Sequence, residues 1–505
     1  MVPPSSAVYD RLESVTAYYP TRGAFLGERS LSVRQIEAAL RRVSAVVDSA
    51  SPDARRAWAR AQLADVSRSL ATDERQHESR YVARFGWRTN AGASDAPSTR
   101  MPNNGLGQID AIVNPFEARR DGWPMTRRAA ANGAVTVAIA GKGIGVLLEP
   151  RLTQQWPDDR TIADARLHRA YLRGRFRNVA LRLGADEMLW GQSPIGALFI
   201  SGNAAPLPAL AIGPDTAFRL PWLFRLVGPA RGTIVVADLG RTQTPRHAKY
   251  AAWQASIEPW SRLELGVAVA AQTGGSGAPK ATFFERVVDL IPPIDALAPQ
   301  RADLQFSSKL AGGNLRLRFP ELSGLDAYYE LQIDDFDGRR LKSSLTEDAA
   351  HLLGLRLPLL LGDRQLAWRA EWHRTSLRLY EHTQFPSGVT YRQHIIGDPL
   401  GPNASALYLG AMWQPSLRTT FDVLLASESR DTSKYTVTSN DIHDRGFRFI
   451  KTSSDPRQRD RRIVASIDRA LGERAVRATV GANRGGQRTD FLVEISLRSH
   501  ALRGF

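Results

Sequence analysis

Residues 364–375, RQLAWRAEWHRT, alternate between two kinds of side chain, with no glycine or proline to interrupt them. Every second position is apolar: Leu366, Trp368, Ala370 and Trp372. Most positions between them are polar: Gln365, Arg369, Glu371 and His373. Successive side chains of a β-strand point to opposite faces, so the pattern predicts a two-faced strand. Such a strand suits a soluble sheet with a polar exterior, or a membrane barrel with lipid outside and a wet lumen inside.

Similar alternating runs recur from Ser79 almost to the end of the chain. They cover residues 81–87, 135–139, 169–183, 262–269, 314–319, 325–334, 421–425, 462–468 and 490–498. The longer runs have about 8–11 residues, the length that a tilted strand needs to cross a bilayer. Roughly 400 residues of such strands exceed a usual β-sandwich, and the repeat of about 40–50 residues that a propeller requires is not visible. The pattern therefore favours a transmembrane antiparallel barrel over a soluble all-β protein.

The composition limits the partners of this 505-residue chain. It has 67 Lys+Arg against 51 Asp+Glu, a formal net charge of +16, which favours anionic partners. Nucleic acid is not expected as a partner, since neither a DNA-recognition helix nor an RNA-binding signature is present. The lack of cysteine excludes disulfides, thiolate metal sites and cysteine nucleophiles.

The two ends of the chain give weaker indications. The first ten residues lack the apolar segment of a signal peptide, so the expectation is a protein that is not exported or a chain that begins after its signal. The final residue, Phe505, follows an alternating strand, and a terminal aromatic residue is typical of outer-membrane barrels.

The first 76 residues predict a small helical region, followed by a barrel over residues 77–505. Ser32 is predicted to cap one helix, with Gln35 as its capping-box partner. Pro52 suits the first turn of another helix. This region shows no catalytic signature, so it is interpreted as a packing or docking region.

The sequence predicts neither an enzyme, a metal site nor a bound cofactor. Glu371, His373, Glu381 and His382 could be read as metal ligands, but a lumen hydrogen-bond network explains them better because no HExxH helix is present. A glycosidase needs two acids about 5–10 Å apart flanking a sugar site, and nothing singles out such a pair. A GxSxG elbow is also missing.

A basic stripe gives the first hint of a ligand class. It consists of Arg169, Tyr171, Arg173, Arg175 and Arg177, which share one face of a predicted strand. Arginine forks match carboxylates and phosphates. The alternative is a structural stripe that pairs with acids on neighbouring strands of the lumen.

Residues 186–213, DEMLWGQSPIGALFISGNAAPLPALAIG, resemble the core motif of the Wzi family of capsule assembly proteins. The features that carry the resemblance are Trp190-Gly191, Ser201-Gly202-Asn203-Ala204 and the pair Pro206 and Pro208. Later blocks resemble the same family in the same order: 221–229, 237–240, 272–279, 369–372, 380–382, 385–391 and 397–402. The similarity spans roughly residues 7–430.

The resemblance implies a bacterial outer-membrane barrel of eighteen strands with a periplasmic helical region at its N-terminus. It also implies a lectin-like function, in which the barrel binds capsular polysaccharide and helps to assemble or anchor it at the cell surface. The expected partners are an acidic surface polysaccharide, outer-membrane lipid and lipopolysaccharide, with envelope proteins docking on the N-terminal helices. The helices are expected to be dispensable for barrel closure. The alternative function is a structural or porin-like transport barrel, or a subunit of a larger envelope complex.

One loop-like stretch is the candidate region for contact with the glycan. It combines aromatic and basic side chains: Tyr380, His382, Phe385, Tyr391, Arg392 and His394. Planar groups can cover sugar faces, and Arg169, Arg173 and Arg175 are carried as further candidates for an acidic glycan. The alternative is that these aromatic residues pack a plug in the barrel, and an open or plugged lumen would separate the two functions.

Overall fold

The computed structural model describes residues 1–71, 81–125, 127–157, 160–291, 307–334, 345, 348–437 and 449–499. Phe505 and the predicted boundary between residues 76 and 77 lie outside these ranges. The structure has a helical N-terminal region followed by one large antiparallel sheet. Among the described residues, none of the helices has the length and hydropathy needed to cross a bilayer.

The large sheet closes into a barrel of eighteen strands. The strands are β1 (Tyr81–Ser94), β2 (Arg128–Gly141), β3 (Ile144–Trp156), β4 (Ile162–Phe176), β5 (Val179–Asp186), β6 (Leu207–Pro214), β7 (Pro229–Asp238), β8 (Lys249–Trp260), β9 (Leu263–Thr273), β10 (Ser307–Phe319), β11 (Leu325–Asp334), β12 (Ala349–Leu361), β13 (Arg364–Arg374), β14 (Ala404–Ser416), β15 (Thr419–Arg430), β16 (Gln458–Leu471), β17 (Arg474–Gly485) and β18 (Arg488–Ser499). Each strand pairs with its neighbours in chain order, and β1 pairs with both β2 and β18. The two-residue strand Phe218–Arg219 adds a nineteenth strand beside β7. The barrel predicted from the alternating strands and the eighteen strands implied by the resemblance are confirmed.

The barrel wall is apolar outside and polar inside. On β13, Trp368 and Trp372 are 50% and 42% exposed, whereas Glu371 and His373 are buried. The same alternation continues on neighbouring strands, where Leu353 and Leu407 face outward. A closed barrel with this apolar exterior satisfies its backbone hydrogen bonds internally, as a lipid environment requires.

The two ends of the barrel differ. At one end, called the turn end here, two-residue turns at 142–143, 177–178, 261–262, 362–363, 417–418 and 472–473 join the strands. The other, called the loop end, carries long connections that include 95–127, 187–206, 375–403 and 431–457. Tyr81 pairs with Gly141, and Ser499 pairs with Arg474. The chain therefore enters and leaves the barrel at the turn end.

Three helices precede the barrel: α1 (Ala7–Tyr18), α2 (Val33–Ser49) and α3 (Ala54–Ala71). The predicted capping box is present, because Ser32 accepts a hydrogen bond from the Gln35 backbone and Gln35 accepts one from the Ser32 backbone. The helices share an apolar core that includes Leu12, Ile36 and Trp58.

The connections between the barrel strands contain several short elements of secondary structure. These are α4 (Phe283–Asp289), the 3₁₀ helix Trp222–Val227 and three two-stranded ribbons. The ribbons pair Thr99–Arg100 with Ile112–Val113, Thr390–Tyr391 with His394–Ile395, and Lys434–Val437 with Phe449–Ser453.

Candidate functional site

Three connections of the loop end fold inward and fill that half of the lumen. They are segments 95–127, 187–206 and 375–403, called the plug loops here. Trp190, Leu198 and Tyr380 from these loops are fully or almost fully buried. They pack against small inward side chains of the wall, such as Ala252 and Ala350. The aromatic content of the plug loops therefore forms a core inside the barrel.

Tyr380 connects two of the plug loops. Its hydroxyl donates a hydrogen bond to the Leu198 carbonyl at 2.5 Å and accepts one from the Asp398 backbone N–H at 2.9 Å. Both groups are buried, so these bonds hold the segments 187–206 and 375–403 in one fixed arrangement.

The N-terminal segment reaches the plug loops from the opposite side. The Arg29 backbone N–H donates to the Leu189 carbonyl at 3.0 Å, and the Gly191 N–H donates to the Gly27 carbonyl at 2.9 Å. Segments from the two ends of the barrel therefore pair in the interior.

Arg316 of β10 marks the point where the two halves meet. Its guanidinium donates to the Gln192 side chain of a plug loop at 3.4 Å and lies 3.6 Å from the Glu13 carboxylate of α1. It also donates to Asp326 on the neighbouring strand at 2.9 Å. Helix α1 thus lies inside the lumen. Among the described residues, the filling is continuous from the turn end to the loop end.

Glu13 anchors α1 in this position. Its carboxylate lies 2.7 Å from Arg29 and 3.2 Å from Arg356 of β12, in addition to Arg316. Burial alone would raise the pKa of Glu13, but the surrounding guanidinium groups hold it well below its usual range. Sequence reasoning did not identify this residue, because the polar face of α1 looks like that of a solvent-exposed helix.

A small cavity of about 50 Å³ lies between the N-terminal segment and β4 to β7. Its lining includes Met1, Glu28, Arg173, Trp190 and Arg231. Its volume corresponds to a site for ordered water rather than for a sugar residue.

The structure places the basic stripe of β4 among acidic partners. Arg169 donates two hydrogen bonds to Asp186, at 2.9 and 2.7 Å. Arg173 pairs with Asp215, and Arg175 lies 3.5 Å from the same carboxylate. Tyr171 accepts a hydrogen bond from the N-terminal amine at 2.8 Å. Arg177 lies in the turn that follows β4 and is exposed.

A β-bulge brings His168 into the lumen next to Arg169. The register between β3 and β4 shifts there, so His168 is skipped and both side chains are buried. Glu149, His168 and Glu187 then bring ligand-type atoms within 4.8 Å of one another. Arg88 donates to Glu149 at 2.6 Å and to Glu187 at 3.1 Å. The positive charge between the two carboxylates is thus supplied by a guanidinium.

Glu371 and His373 belong to another buried network. His373 lies 2.6 Å from Asp398 and 3.0 Å from Glu371. Glu371 also accepts hydrogen bonds from Ser193 and Tyr328, each at 2.5 Å. This network joins the plug loops to β11 and β13, as expected of a lumen network.

The candidate residues of the loop-like stretch differ in how deeply they are buried. Tyr380 and Phe385 are fully buried, and His382 and Tyr391 are mostly buried. Arg392 is exposed and places its guanidinium 5.3 Å from the centre of the Tyr391 ring. The structure therefore brings Arg392 to the surface and leaves the aromatic residues beneath it.

His394 and its neighbours complete this surface. His394 lies 3.6 Å from the Glu117 carboxylate. Arg166 and Arg392 are close enough to interact electrostatically with Arg151 of β3. Burial lowers the pKa of His394, but Glu117 and the Arg392 carbonyl outweigh burial and raise it above its usual value. A basic surface, formed by Arg166, Arg392 and His394 above the buried Arg151, therefore lies at the loop end.

Comparisons with known proteins agree with this architecture. The sequence profile of the family described as capsule assembly protein Wzi matches residues 113–473, more than half of the chain. No curated protein sequence matches the chain.

A solved structure shows the same fold. Wzi from Escherichia coli, described as an outer-membrane carbohydrate-binding β-barrel involved in group 1 capsule assembly, has a TM-score of 0.69 and 14% identity. The match covers 98% of this chain and 98% of that chain. OccK7 (OpdD) from Pseudomonas aeruginosa reaches a TM-score of 0.44 with 9% identity, over 83% of this chain and 98% of that chain. This chain is an outer-membrane β-barrel and belongs to the Wzi family of capsule assembly proteins.

Proposed function

We propose that this barrel binds an acidic surface polysaccharide at its loop end and helps to anchor it at the cell surface without cleaving it. The observation that carries the proposal is the filled lumen, in which Arg316 contacts both Gln192 of a plug loop and Glu13 of α1. A transport channel needs an open passage. A filled barrel instead offers its loop end as a rigid platform.

The proposed orientation places the loop end outside the cell and the helical region, residues 1–76, on the periplasmic side. Short turns are typical of the periplasmic end of outer-membrane barrels, and long loops of the outer end. Helix α1 enters the lumen from the end with the short turns, and helices α2 and α3 lie at that end. They provide the surface on which envelope proteins would dock.

Two observations support the proposed class of ligand. Escherichia coli Wzi, the structural relative, is described as carbohydrate-binding. The net charge of +16 and the basic surface at the loop end favour a glycan that carries carboxylates or phosphates. Arg392 is the exposed member of the candidate stretch, and its guanidinium can donate hydrogen bonds to both oxygens of one carboxylate.

The backbone around Arg392 forms a tight hairpin turn that fixes where its side chain leaves the surface. Arg392 and Gln393 both have positive φ values, 51° and 62°. Tyr391 pairs with His394, and positive φ at both central residues is what the type I′ turn of such a two-residue hairpin requires. The Ile112 N–H donates to the Gln393 carbonyl at 2.8 Å and helps to hold the turn.

The carboxylates beside Arg392 favour binding over hydrolysis. Glu117 pairs with His394, Asp164 pairs with Arg166, and Asp110 accepts hydrogen bonds from Gln393. A glycosidase requires a general acid and a second carboxylate directed at the sugar. These acids are instead directed at cationic or amide groups of the protein.

The test is a capsule-retention assay on cells that carry Arg392→Gln or Tyr391→Ala. Arg418→Gln is the matched control, since Arg418 is an exposed arginine in a turn at the opposite end. We expect Arg392→Gln to lower retention several-fold and the control to leave it unchanged. Binding by the purified wild type should fall as salt rises, because exposed charges are screened within about 10 Å at 0.1 M salt.

Normal retention in both loop variants, at normal protein levels, would reject this turn as the site. Release of shortened oligosaccharide by the pure protein would show that the barrel is an enzyme.

A further inference from the structure

A cluster of arginines lies on the barrel wall at the loop end of β16 and β17. Arg459, Arg461 and Arg484 are exposed. Arg461 stands directly opposite Arg484 in the register of the two strands. Arg459 is two residues from Arg461 and therefore shares its face. These three residues are called the arginine patch here.

The arginine patch faces away from the lumen. Arg462, the next residue after Arg461, points inward and donates to Glu428 at 2.6 Å. Asp460, which precedes Arg461, also lies on the inward face and accepts a hydrogen bond from Gln458 at 3.0 Å. The side chains of the patch therefore leave the barrel on the side that contacts the membrane.

The charges of the arginine patch have no protein counter-ion in the described part of the chain. No ion pair there involves Arg459, Arg461 or Arg484, although most arginines that point into the lumen have an acidic partner. Like charges that stand directly opposite each other across a sheet are destabilising. The patch is therefore expected to need an anion from outside the protein.

The apolar surface of the barrel begins directly next to the patch. In the neighbouring row of the sheet, Ile463 stands opposite Leu425 on β15 and Ala482 on β17, and Ala482 stands opposite Phe491 on β18. Leu425, Ile463 and Phe491 are 44%, 46% and 58% exposed. An anion that fits both rows carries a negatively charged head and apolar chains beside it.

We propose that the arginine patch binds the phosphate groups of lipid A, the membrane anchor of lipopolysaccharide, with acyl chains against Leu425, Ile463 and Phe491. The inference rests on the proposed orientation, which puts the loop end in the outer leaflet. Guanidinium groups bind phosphate oxygens bidentately. A soluble acidic polysaccharide would match the charges alone, whereas lipid A also matches the adjoining apolar row.

The test uses the full chain, purified in detergent, and the triple variant Arg459→Gln/Arg461→Gln/Arg484→Gln. The control is Arg469→Gln/Arg474→Gln, which removes two exposed arginines from the turn end of the same two strands. Native mass spectrometry measures binding of bisphosphorylated lipid A and of lipid A without phosphate. A heat-dependent shift in electrophoretic mobility verifies that each variant is folded.

We expect the wild type and the control to prefer the bisphosphorylated lipid. The triple variant should lose about a hundredfold in affinity for it, since each arginine near an anionic membrane surface contributes roughly a factor of five. It should no longer distinguish the two lipids.

Equal binding of bisphosphorylated lipid A by the folded triple variant and the wild type would overturn the proposal, as would equal binding of the two lipids by the wild type. Displacement of the lipid from the wild type by an acidic polysaccharide without acyl chains would identify the patch as a glycan site instead. Arg392→Gln serves as a further control. It should retain lipid A binding even if it loses capsule, so the two proposals can fail separately.

Discussion

At the scale of single residues, the interior of this barrel is organised by buried charges in matched groups. Glu13 is surrounded by Arg29, Arg316 and Arg356, and Arg169 is held by Asp186. A buried charge without partners is strongly unfavourable, so each group permits few alternative arrangements. We infer that these groups fix the position of the plug more than they add to its stability.

Glu381 is a buried acid whose protonation should control the plug loops. Burial raises its pKa to about 8, against the opposing effects of Asn104, Arg378 and Lys434. The usual value in an unfolded chain is about 4.3. Between these two pH values the folded state binds more protons than the unfolded state, so the stability of the plug should decrease as pH rises.

The variant Glu381→Gln removes this titration. At pH 9 we expect it to stabilise segment 375–403 by about 3–5 kcal/mol relative to the wild type, with little difference at pH 4.5. Hydrogen-exchange protection of that segment, corrected for intrinsic exchange at each pH, measures the effect. Equal protection of the two proteins at pH 9 would show that burial does not raise the pKa of Glu381.

At the scale of elements, period-two alternation is easiest to recognise where the inward side chains are polar. Strand β13 fits, because its inward residues Glu371 and His373 join a hydrogen-bond network. Strand β12 was not recognised, since its inward positions Ala350 and Leu352 pack against the plug and are as apolar as its outward positions. The polarity of the inward side chains therefore affects how clearly the sequence pattern indicates a strand.

The bulge in β4 shows a second limit at this scale. His168 and Arg169 both point inward because one residue is skipped in the pairing with β3. Regular alternation assigns successive residues to opposite faces, so it places Arg169 correctly but not His168. Pro150 lies at the bulge on the partner strand, and proline within a sheet is the signal that could have indicated the irregularity.

The lipid-facing side of β13 can be tested by introducing charge at two depths. Trp368 lies near the middle of the strand and Trp372 near its loop end. An arginine on the lipid face costs about 2–4 kcal/mol at the midplane and about 0–1 kcal/mol near the interface. We expect Trp368→Arg to destabilise the barrel more than Trp372→Arg.

Denaturant unfolding in lipid vesicles measures this difference, with Trp368→Phe as the apolar control. Unchanged stability in both arginine variants would mean that this face of β13 does not contact lipid.

Helix α1 should be released when its central anion is removed. In Glu13→Gln, three buried guanidinium groups lose their shared carboxylate, and breaking a buried ion pair in this way costs about 3–5 kcal/mol. We expect backbone exchange in residues 7–18 to accelerate while the barrel strands stay protected. Hydrogen exchange followed by mass spectrometry resolves the two regions.

The control is Asp48→Asn, which breaks the exposed pair between Asp48 and Arg60 on α2 and α3. Exposed pairs contribute about 0–1 kcal/mol, so α1 should remain protected. If Glu13→Gln and Asp48→Asn exchange alike, Glu13 does not anchor the helix.

At the scale of the whole molecule, the sequence predicts the outside of the barrel better than its inside. The apolar exterior follows from alternating strands, and the ordered motifs between residues 186 and 402 indicate the family. The filling of the lumen depends on contacts between distant parts of the chain, such as Glu13 with Arg356. Aromatic residues like Tyr380 and Phe385 suit an exposed sugar site and a buried plug equally well, so composition does not distinguish the two.

The measurement that tests the central claim most directly is the ion conductance of the wild-type barrel in a planar lipid bilayer. The claim is that the plug loops and α1 meet at Arg316 and close the lumen, so that the protein holds a glycan outside rather than conducting solutes. Insertion is verified independently by the heat-dependent shift of protein recovered from the bilayer lipid. We predict that inserted protein carries no steady ionic current, whereas a stable ohmic current of the size seen for open porins would contradict the account.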